Sequence, residues 1–113
     1  MKSNAYTPWG TADNVTNYGK EGIAFFSTPG HGGFYVPFAL IHSVPGLPDF
    51  QPWAGRGWFE EDCDAALVVV CFPDAFDSDQ VERARRAVLE QQPYFMGRGL
   101  PLSFFGRLME VTA

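Results

Sequence analysis

The amino-acid sequence predicts an α+β domain in which a small antiparallel sheet packs against two or three helices. Two β-like runs around a glycine-containing turn, an apolar stripe at helical spacing and a length of 113 residues support this prediction. Chains of this length usually form one domain, so we expect residues 1–113 to fold together. With 46% hydrophobic residues and 11 Phe, the chain can build a core of large side chains.

The strands are predicted in the first third of the chain. Segments Asn14–Tyr18 and Ile23–Ser27 flank residues 19–22, where glycines supply the positive φ angles of a hairpin turn. A third strand is expected at Phe34–Val36. The preceding segment, Tyr6–Asp13, is interpreted as an ordered loop anchored by its tryptophan.

The helices are predicted from prolines, caps and charge. A short helix is expected at Pro37–Ser43, because proline suits a first helical position. Phe59–Phe72 is interpreted as a helix, since acidic residues before an apolar run are typical of a helix N-terminus. Residues 67–70 alone would suit a buried strand. A longer helix is expected after a cap at Ser78 or Asp79 and before the next proline.

Apolar spacing indicates which helix faces turn inward. The stripe of the longer helix is at i, i+3 and i+4 spacing, which places its members on one side. A last short helix is expected at Ser103–Glu110. The inward residues are Val81, Ala84, Val88 and Leu89 in the longer helix, and Phe104, Phe105, Leu108 and Met109 in the last one.

Cysteine spacing and hydropathy indicate a cytoplasmic protein. Cys63 and Cys71 would lie about 12 Å apart on a helix, beyond the roughly 7 Å that a disulfide spans, so we expect free thiols. The longest apolar run, Ala65–Phe72, is far shorter than the roughly 20 residues of a membrane-spanning helix. The N-terminal segment lacks the apolar run of a secretory signal.

The charge pattern favours a protein partner. A net charge of −5 argues against nucleic-acid binding. The stretch Glu60–Asp79 holds acidic residues and no basic one, with tryptophans beside it. We interpret it as a negative face that docks on a basic groove, although a solvated rim is the alternative. The predicted partner-binding residues are Trp53, Trp58, Glu60, Glu61, Asp64, Asp74 and Asp77.

Three motifs resemble a known family. They are TPWGTAD at residues 7–13, STPGHGGF at residues 27–34 and GWFEEDCD at residues 57–64. In this order they resemble a family of small proteins of unknown function encoded on bacterial plasmids, phages and other mobile elements. The resemblance implies no particular reaction, because the family has no assigned activity. It implies a role against host defences, since small acidic proteins of mobile elements, such as anti-CRISPR proteins, often block them. The apolar segment Val36–Ile41 departs from the polar helix opening of the relatives.

The glycine-rich loop around His31 is the most enzyme-like feature. Its backbone N–H groups could hold an anion, with His31 as acid, base or ligand. The alternative is a tight turn that sterically requires glycine. Cys63 could pair with His31, but its four acidic neighbours oppose formation of a thiolate, so a buried structural cysteine is favoured. Neither a dinucleotide fingerprint nor a phosphate loop is present, and no cofactor is expected.

A metal site is not expected. Glu60 and Asp64 would lie one helical turn apart and, with Glu61, could chelate a hard cation. However, no second set of oxygen ligands accompanies them. The histidines and cysteines also lack the paired spacing of a zinc site.

Two functions follow from the sequence. In the first, a non-enzymatic protein, monomeric or homodimeric, binds and inhibits a host defence complex. Its partner is a protein or ribonucleoprotein with a basic surface, without direct contact to nucleic acid or membrane. In the second, a small hydrolase or transferase uses His31 with Cys63 or with Glu60 and Glu61.

Overall fold

The fold combines two antiparallel sheets with five α-helices in the part of the chain that the structure describes. The computed structural model describes residues 6–19 and 21–110, the last of these by its backbone only. Lys20 of the predicted hairpin turn lies outside the described residues. So do both termini, including the N-terminal segment in which no secretory signal was expected. The predicted α+β class is confirmed.

The described chain begins with a two-stranded hairpin where a loop was predicted. Strands β1 (Tyr6–Thr7) and β2 (Gly10–Thr11) pair antiparallel. The turn between them carries Trp9, whose indole packs edge-on against Trp58 with ring centroids 5.7 Å apart. The tryptophan therefore anchors this segment to the larger sheet, as expected.

The larger sheet has four strands in chain order: β3 (Asn14–Tyr18), β4 (Ile23–Ser27), β5 (Gly32–Tyr35) and β6 (Trp58–Glu60). The predicted hairpin, β3 and β4, is confirmed with the expected bounds, and Gly19 in its turn has a φ of 74°. Strand β5 begins earlier than predicted because the two glycines at its start pair with the end of β4.

Helix α1 (Phe38–His42) confirms the short helix expected after the third strand. Pro37 is its N-cap rather than its first helical residue. The Pro/Gly-rich segment that follows contains a 3-10 helix at Leu47–Asp49. Leu47 lies in the core and holds this otherwise irregular segment against the domain.

The helix predicted over Phe59–Phe72 begins too early. Its first residues belong to β6, where Phe59 pairs with Phe34 of β5 and is buried. Helix α2 spans only Ala65–Cys71, which settles residues 67–70 as helical. The prediction failed because the edge of β5 offers backbone partners to residues 58–60, a long-range pairing that local charge does not reveal.

Helix α3 (Ser78–Glu90) is capped one residue earlier than predicted, by Asp77. The Asp77 carboxylate accepts from the Gln80 N–H at 2.8 Å, and the Gln80 side chain accepts from the Asp77 N–H at 3.2 Å. This capping box satisfies two donors at once and outcompetes a cap at Ser78 or Asp79. The predicted stripe of α3 lies against the core.

The C-terminal third contains two more helices. Pro93, expected to follow the end of α3, lies in the first turn of an unpredicted helix, α4 (Gln92–Gly97). Helix α5 (Leu102–Glu110) confirms the last predicted helix. Met109 is 61% exposed, so its predicted inward position is wrong, because it lies about 100° around the helix from buried Leu108. None of the described helices is long and apolar enough to cross a membrane.

The two faces of the larger sheet have different roles. Phe25, Phe34 and Phe59 form one row across β4, β5 and β6, on the face that the helices cover. Because side chains alternate between faces, Tyr35 and Trp58 lie on the other face. Trp9 packs against the second face, which places the N-terminal hairpin beside the end of β6.

We expect Gly33→Ala to lower the free energy of unfolding by about 1–3 kcal/mol, because the added group overpacks a tight site. A Cβ there would lie 2.5 Å from the Phe59 carbonyl oxygen and 2.5 Å from the Trp9 ring. Gly30→Ala is the matched control, since a Cβ at Gly30 meets nothing within 4 Å. Urea unfolding followed by circular dichroism measures both, and equal stabilities would contradict this packing.

Candidate functional site

Segments from all three motifs converge at the end of strand β6. Gly33, from the histidine motif, pairs with Glu60 of the acidic motif. Trp9, from the first motif, packs so closely over Gly33 that no side chain fits between them. The convergence brings His31, Glu60 and the turn after β6 into one cluster.

His31 faces a buried carboxylate. Its Nδ1 lies 3.6 Å from Glu60 Oε2, and the two side chains are 58% and 10% exposed. Thr28 fixes the histidine backbone, since its hydroxyl accepts from the His31 N–H at 3.2 Å and donates to the His31 carbonyl at 2.9 Å. The imidazole is thus an exposed group on a closed turn, with Nδ1 directed at the carboxylate.

The buried Glu60 carboxylate stabilises the turn that follows β6. Its Oε1 accepts from the Asp62 N–H at 2.8 Å and from the Cys63 thiol at 3.4 Å. The residue is only 7% exposed. Glu60, one of the predicted partner-binding residues, is therefore largely internal, because the chain reverses here and the carboxylate accepts hydrogen bonds from the donors of the reversal.

Cys63 does not pair with His31. The two residues contact the same Glu60 carboxylate, His31 at Oε2 and Cys63 at Oε1. Burial and the nearby carboxylates of Asp64 and Glu60 raise the pKa of Cys63 to about 11, although the Tyr94 hydroxyl opposes the rise. The thiol is protonated at neutral pH, which agrees with the structural cysteine favoured above. Cys63 and Cys71 are both free thiols, as predicted.

Asp64 is the most deeply buried charged residue in the described chain, with no exposed surface. Its Oδ2 accepts from the Trp53 N–H at 2.8 Å, and its Oδ1 accepts from the Tyr94 hydroxyl at 2.8 Å. Asp64, one of the predicted partner-binding residues, is therefore internal in the described structure. It joins the start of α2 to the Trp53 loop and to α4. No pattern in the sequence marks Tyr94 as its partner.

The two predicted tryptophans lie in different environments. Trp53 is 67% exposed, and its loop is fixed by Asp64 and by Arg98. Arg98 Nε donates to the Gln51 carbonyl at 2.7 Å, and the Arg98 carbonyl accepts from the Gln51 N–H at 2.8 Å. Trp58 is half-buried among aromatic rings on the outer sheet face, which are those of Trp9, Phe26 and Tyr35.

The other predicted acidic residues form two groups. Glu61 is exposed in the turn before α2, together with Asp62, which was not among the predicted residues; Asp74 and Asp77 are exposed after the end of α2. Helix α2 has 7 residues, and such a helix is about 10 Å long, so the groups lie at its opposite ends. The acidic residues of the predicted negative face therefore fall into two groups, and Asp77 also serves as the cap of α3.

The buried carboxylates of Glu60 and Asp64 accept hydrogen bonds from the protein and do not converge on a shared metal ion. Glu60 and Asp64 accept from different donors, and Glu61 is exposed. Among the described residues, no group of three His, Cys, Asp or Glu side chains could hold a metal ion.

The fold and this cluster define a small α+β domain whose third motif places two exposed carboxylates between two buried ones. The chain belongs to the DUF7007 family, a domain of unknown function, whose family model matches residues 2–98. The expected membership in a family of unknown function is confirmed, whereas the origin on mobile elements stays a prediction. Neither a curated protein nor a solved structure matches the chain significantly.

We expect Asp64→Asn to lower the free energy of unfolding by about 1–3 kcal/mol, because the amide cannot accept from both buried donors as the carboxylate does. Tyr94→Phe removes one of the two bonds, and about 1 kcal/mol should be lost. Asp62→Asn is the matched exposed control and should change stability by less than about 0.5 kcal/mol. Urea denaturation measures all three; an Asp64→Asn protein as stable as the control would show that the network is unimportant.

We expect Cys63 to react slowly with iodoacetamide at pH 7, because only the thiolate attacks. With a pKa of about 11, its rate should rise about tenfold per pH unit from pH 7 to 10. Glu60→Gln should raise the rate by removing one carboxylate, whereas Glu61→Gln, at an exposed position, should not. Peptide mass spectrometry separates Cys63 from Cys71, and a rate that levels off near pH 7 would refute the raised pKa.

Proposed function

We propose that this protein is a non-enzymatic binding protein that occupies a basic surface of another macromolecule, with Trp53 as its central contact. The observation that carries the proposal is that Trp53 is 67% exposed while its backbone N–H is held by buried Asp64 at 2.8 Å. Tryptophan is enriched among the residues that dominate binding energy. A fixed backbone reduces the entropy lost when such a residue is ordered in a complex.

Exposed carboxylates accompany this tryptophan. Glu61 and Asp62 are exposed in the turn that leads directly to Asp64, which holds Trp53. They supply negative charge near the proposed contact, and the net charge of −5 adds to the attraction of a cationic partner. Such charges accelerate association and select partners, while the aromatic contact provides most of the affinity.

The resemblance to mobile-element proteins supports a host defence complex as the partner. In such a protein or ribonucleoprotein, a site rich in Lys and Arg normally holds nucleic acid. An acidic protein bound there would exclude the nucleic acid and inhibit the complex. The surface is smaller than the sequence indicated, because Glu60 and Asp64 are internal and Asp74 and Asp77 lie beyond α2.

The test is affinity capture from a host lysate, followed by titration of the captured complex with purified variants. Trp53→Ala should weaken binding by at least about 2 kcal/mol, or roughly 30-fold. The double substitution Glu61→Lys with Asp62→Lys should slow association and reduce its salt dependence. Leu102→Ala removes another exposed apolar side chain and is the control for Trp53. Asp74→Lys is the charge control at the other end of α2.

The proposal fails if Trp53→Ala binds the partner as tightly as the unchanged protein does. It also fails if Asp74→Lys slows association as much as the double substitution. Circular dichroism of each variant separates loss of binding from loss of the fold.

A small enzyme that uses His31 with Glu60 is the second candidate. The specific observation is the contact of His31 Nδ1 with a buried carboxylate, because a carboxylate that orients one ring nitrogen leaves the other for proton transfer. The protonated Cys63 does not serve as the nucleophile at neutral pH. Hydrolase or transferase turnover at substoichiometric protein, lost in a folded His31→Ala variant, would favour this candidate; one-to-one inhibition would favour binding.

A further inference from the structure

A groove of about 610 Å³ lies between helix α1, the 3-10 helix at Leu47–Asp49 and the loop that carries Trp53. Its lining includes Pro52 and Gly55, which flank Trp53 in the chain. The volume lies within the range of about 300–1,000 Å³ typical of ligand sites. The exposed acidic residues of the proposed partner surface do not line it, so this is a separate surface of the same loop.

The groove is cationic, although the chain is acidic. Arg56 and Arg98 line it together with a single acidic residue, Asp49, and with His42. Within the described residues, neither arginine forms an ion pair. Arg98 uses its Nε for the Gln51 carbonyl at 2.7 Å, which orients the rest of the guanidinium without neutralising it. Both guanidinium groups therefore keep their charge for a ligand.

Two of the three arginines of helix α3 differ in this respect. Arg85 contacts Glu82 at 2.6 Å and Arg86 contacts Glu82 at 3.6 Å, so these two charges are compensated on their own helix. Arg107 lies on α5 and donates to the Pro45 carbonyl at 3.0 Å. Within the described residues Arg83 also forms no ion pair, but it is exposed on helix α3. The groove differs because its two uncompensated arginines line a concave surface.

An apolar floor and rim accompany the arginines. Ile41, Leu47 and Phe59 line the groove from the core, while Phe38 is 61% exposed at its edge. The centroids of the Phe38 and His42 rings lie 3.9 Å apart. The His42 Nδ1 atom also lies 3.1 Å from the Phe38 carbonyl oxygen. These contacts hold Phe38 in place, so the groove presents apolar surface directly beside two positive charges.

We infer that the groove binds an acidic peptide segment of a partner protein, with carboxylates on Arg56 and Arg98 and an apolar side chain against Phe38. Arginine forks match carboxylates in a two-point geometry. The apolar floor and the exposed Phe38 ring call for an apolar group beside the carboxylates, which an acidic peptide supplies and a phosphate group alone does not. Charge and shape therefore favour the peptide.

The test is a titration of ¹⁵N-labelled protein with the capped peptide EELDEFEE, followed by NMR. The expected result is a saturable shift of amide signals along the groove. The neutral peptide QQLNQFQQ should bind at least about tenfold more weakly, because it lacks the charges that pair with the arginines. Arg56→Gln should weaken binding of EELDEFEE about threefold to fivefold, the effect of one partly exposed ion pair. Arg83→Gln removes an exposed arginine from α3 and should change nothing.

Several results would overturn the assignment: no saturable shift with EELDEFEE, equal binding of both peptides, or equal effects of Arg56→Gln and Arg83→Gln. Groove shifts with adenosine monophosphate but not with EELDEFEE would assign a nucleotide instead. The double substitution Glu61→Lys with Asp62→Lys should leave the groove signals responsive to the peptide. Failure of the proposed partner surface and failure of the groove are therefore distinguishable.

Discussion

The Asp64 carboxylate is the interaction on which the described structure depends most. It has no exposed surface and accepts hydrogen bonds from the Trp53 N–H and the Tyr94 hydroxyl. Burying a charge without partners is costly, so these bonds must form together with the core. They join the turn after β6, the tryptophan loop and helix α4 at a single residue. The exposed tryptophan is thus positioned from inside the domain.

Glu60 has a similar role at the other end of the same turn. The Asp64 N–H donates to the Glu60 carbonyl at 2.9 Å, which closes the turn around Cys63. The carboxylates of the motif therefore have two roles: Glu60 and Asp64 accept hydrogen bonds from internal donors, whereas Glu61 and Asp62 face solvent. An acidic motif of this kind organises the local backbone and supplies surface charge at once.

The Trp53 loop separates two kinds of charge. Glu61 and Asp62 belong to the turn that holds it, and Arg56 lies within the loop itself, at the cationic groove. The exposed Trp53 thus has charges of both signs in the segments next to it in the structure of the loop and turn.

The sequence by itself determined the elements that rest on local physics. The β3–β4 hairpin follows from its glycine turn, and helices α3 and α5 follow from apolar spacing. Only the tertiary structure decided that residues 58–60 form a strand and that Asp64 is internal. Its partners are Trp53 and Tyr94, 11 and 30 residues away in the chain. Local sequence shows which residues can carry charge, but burial depends on donors that long-range packing brings together.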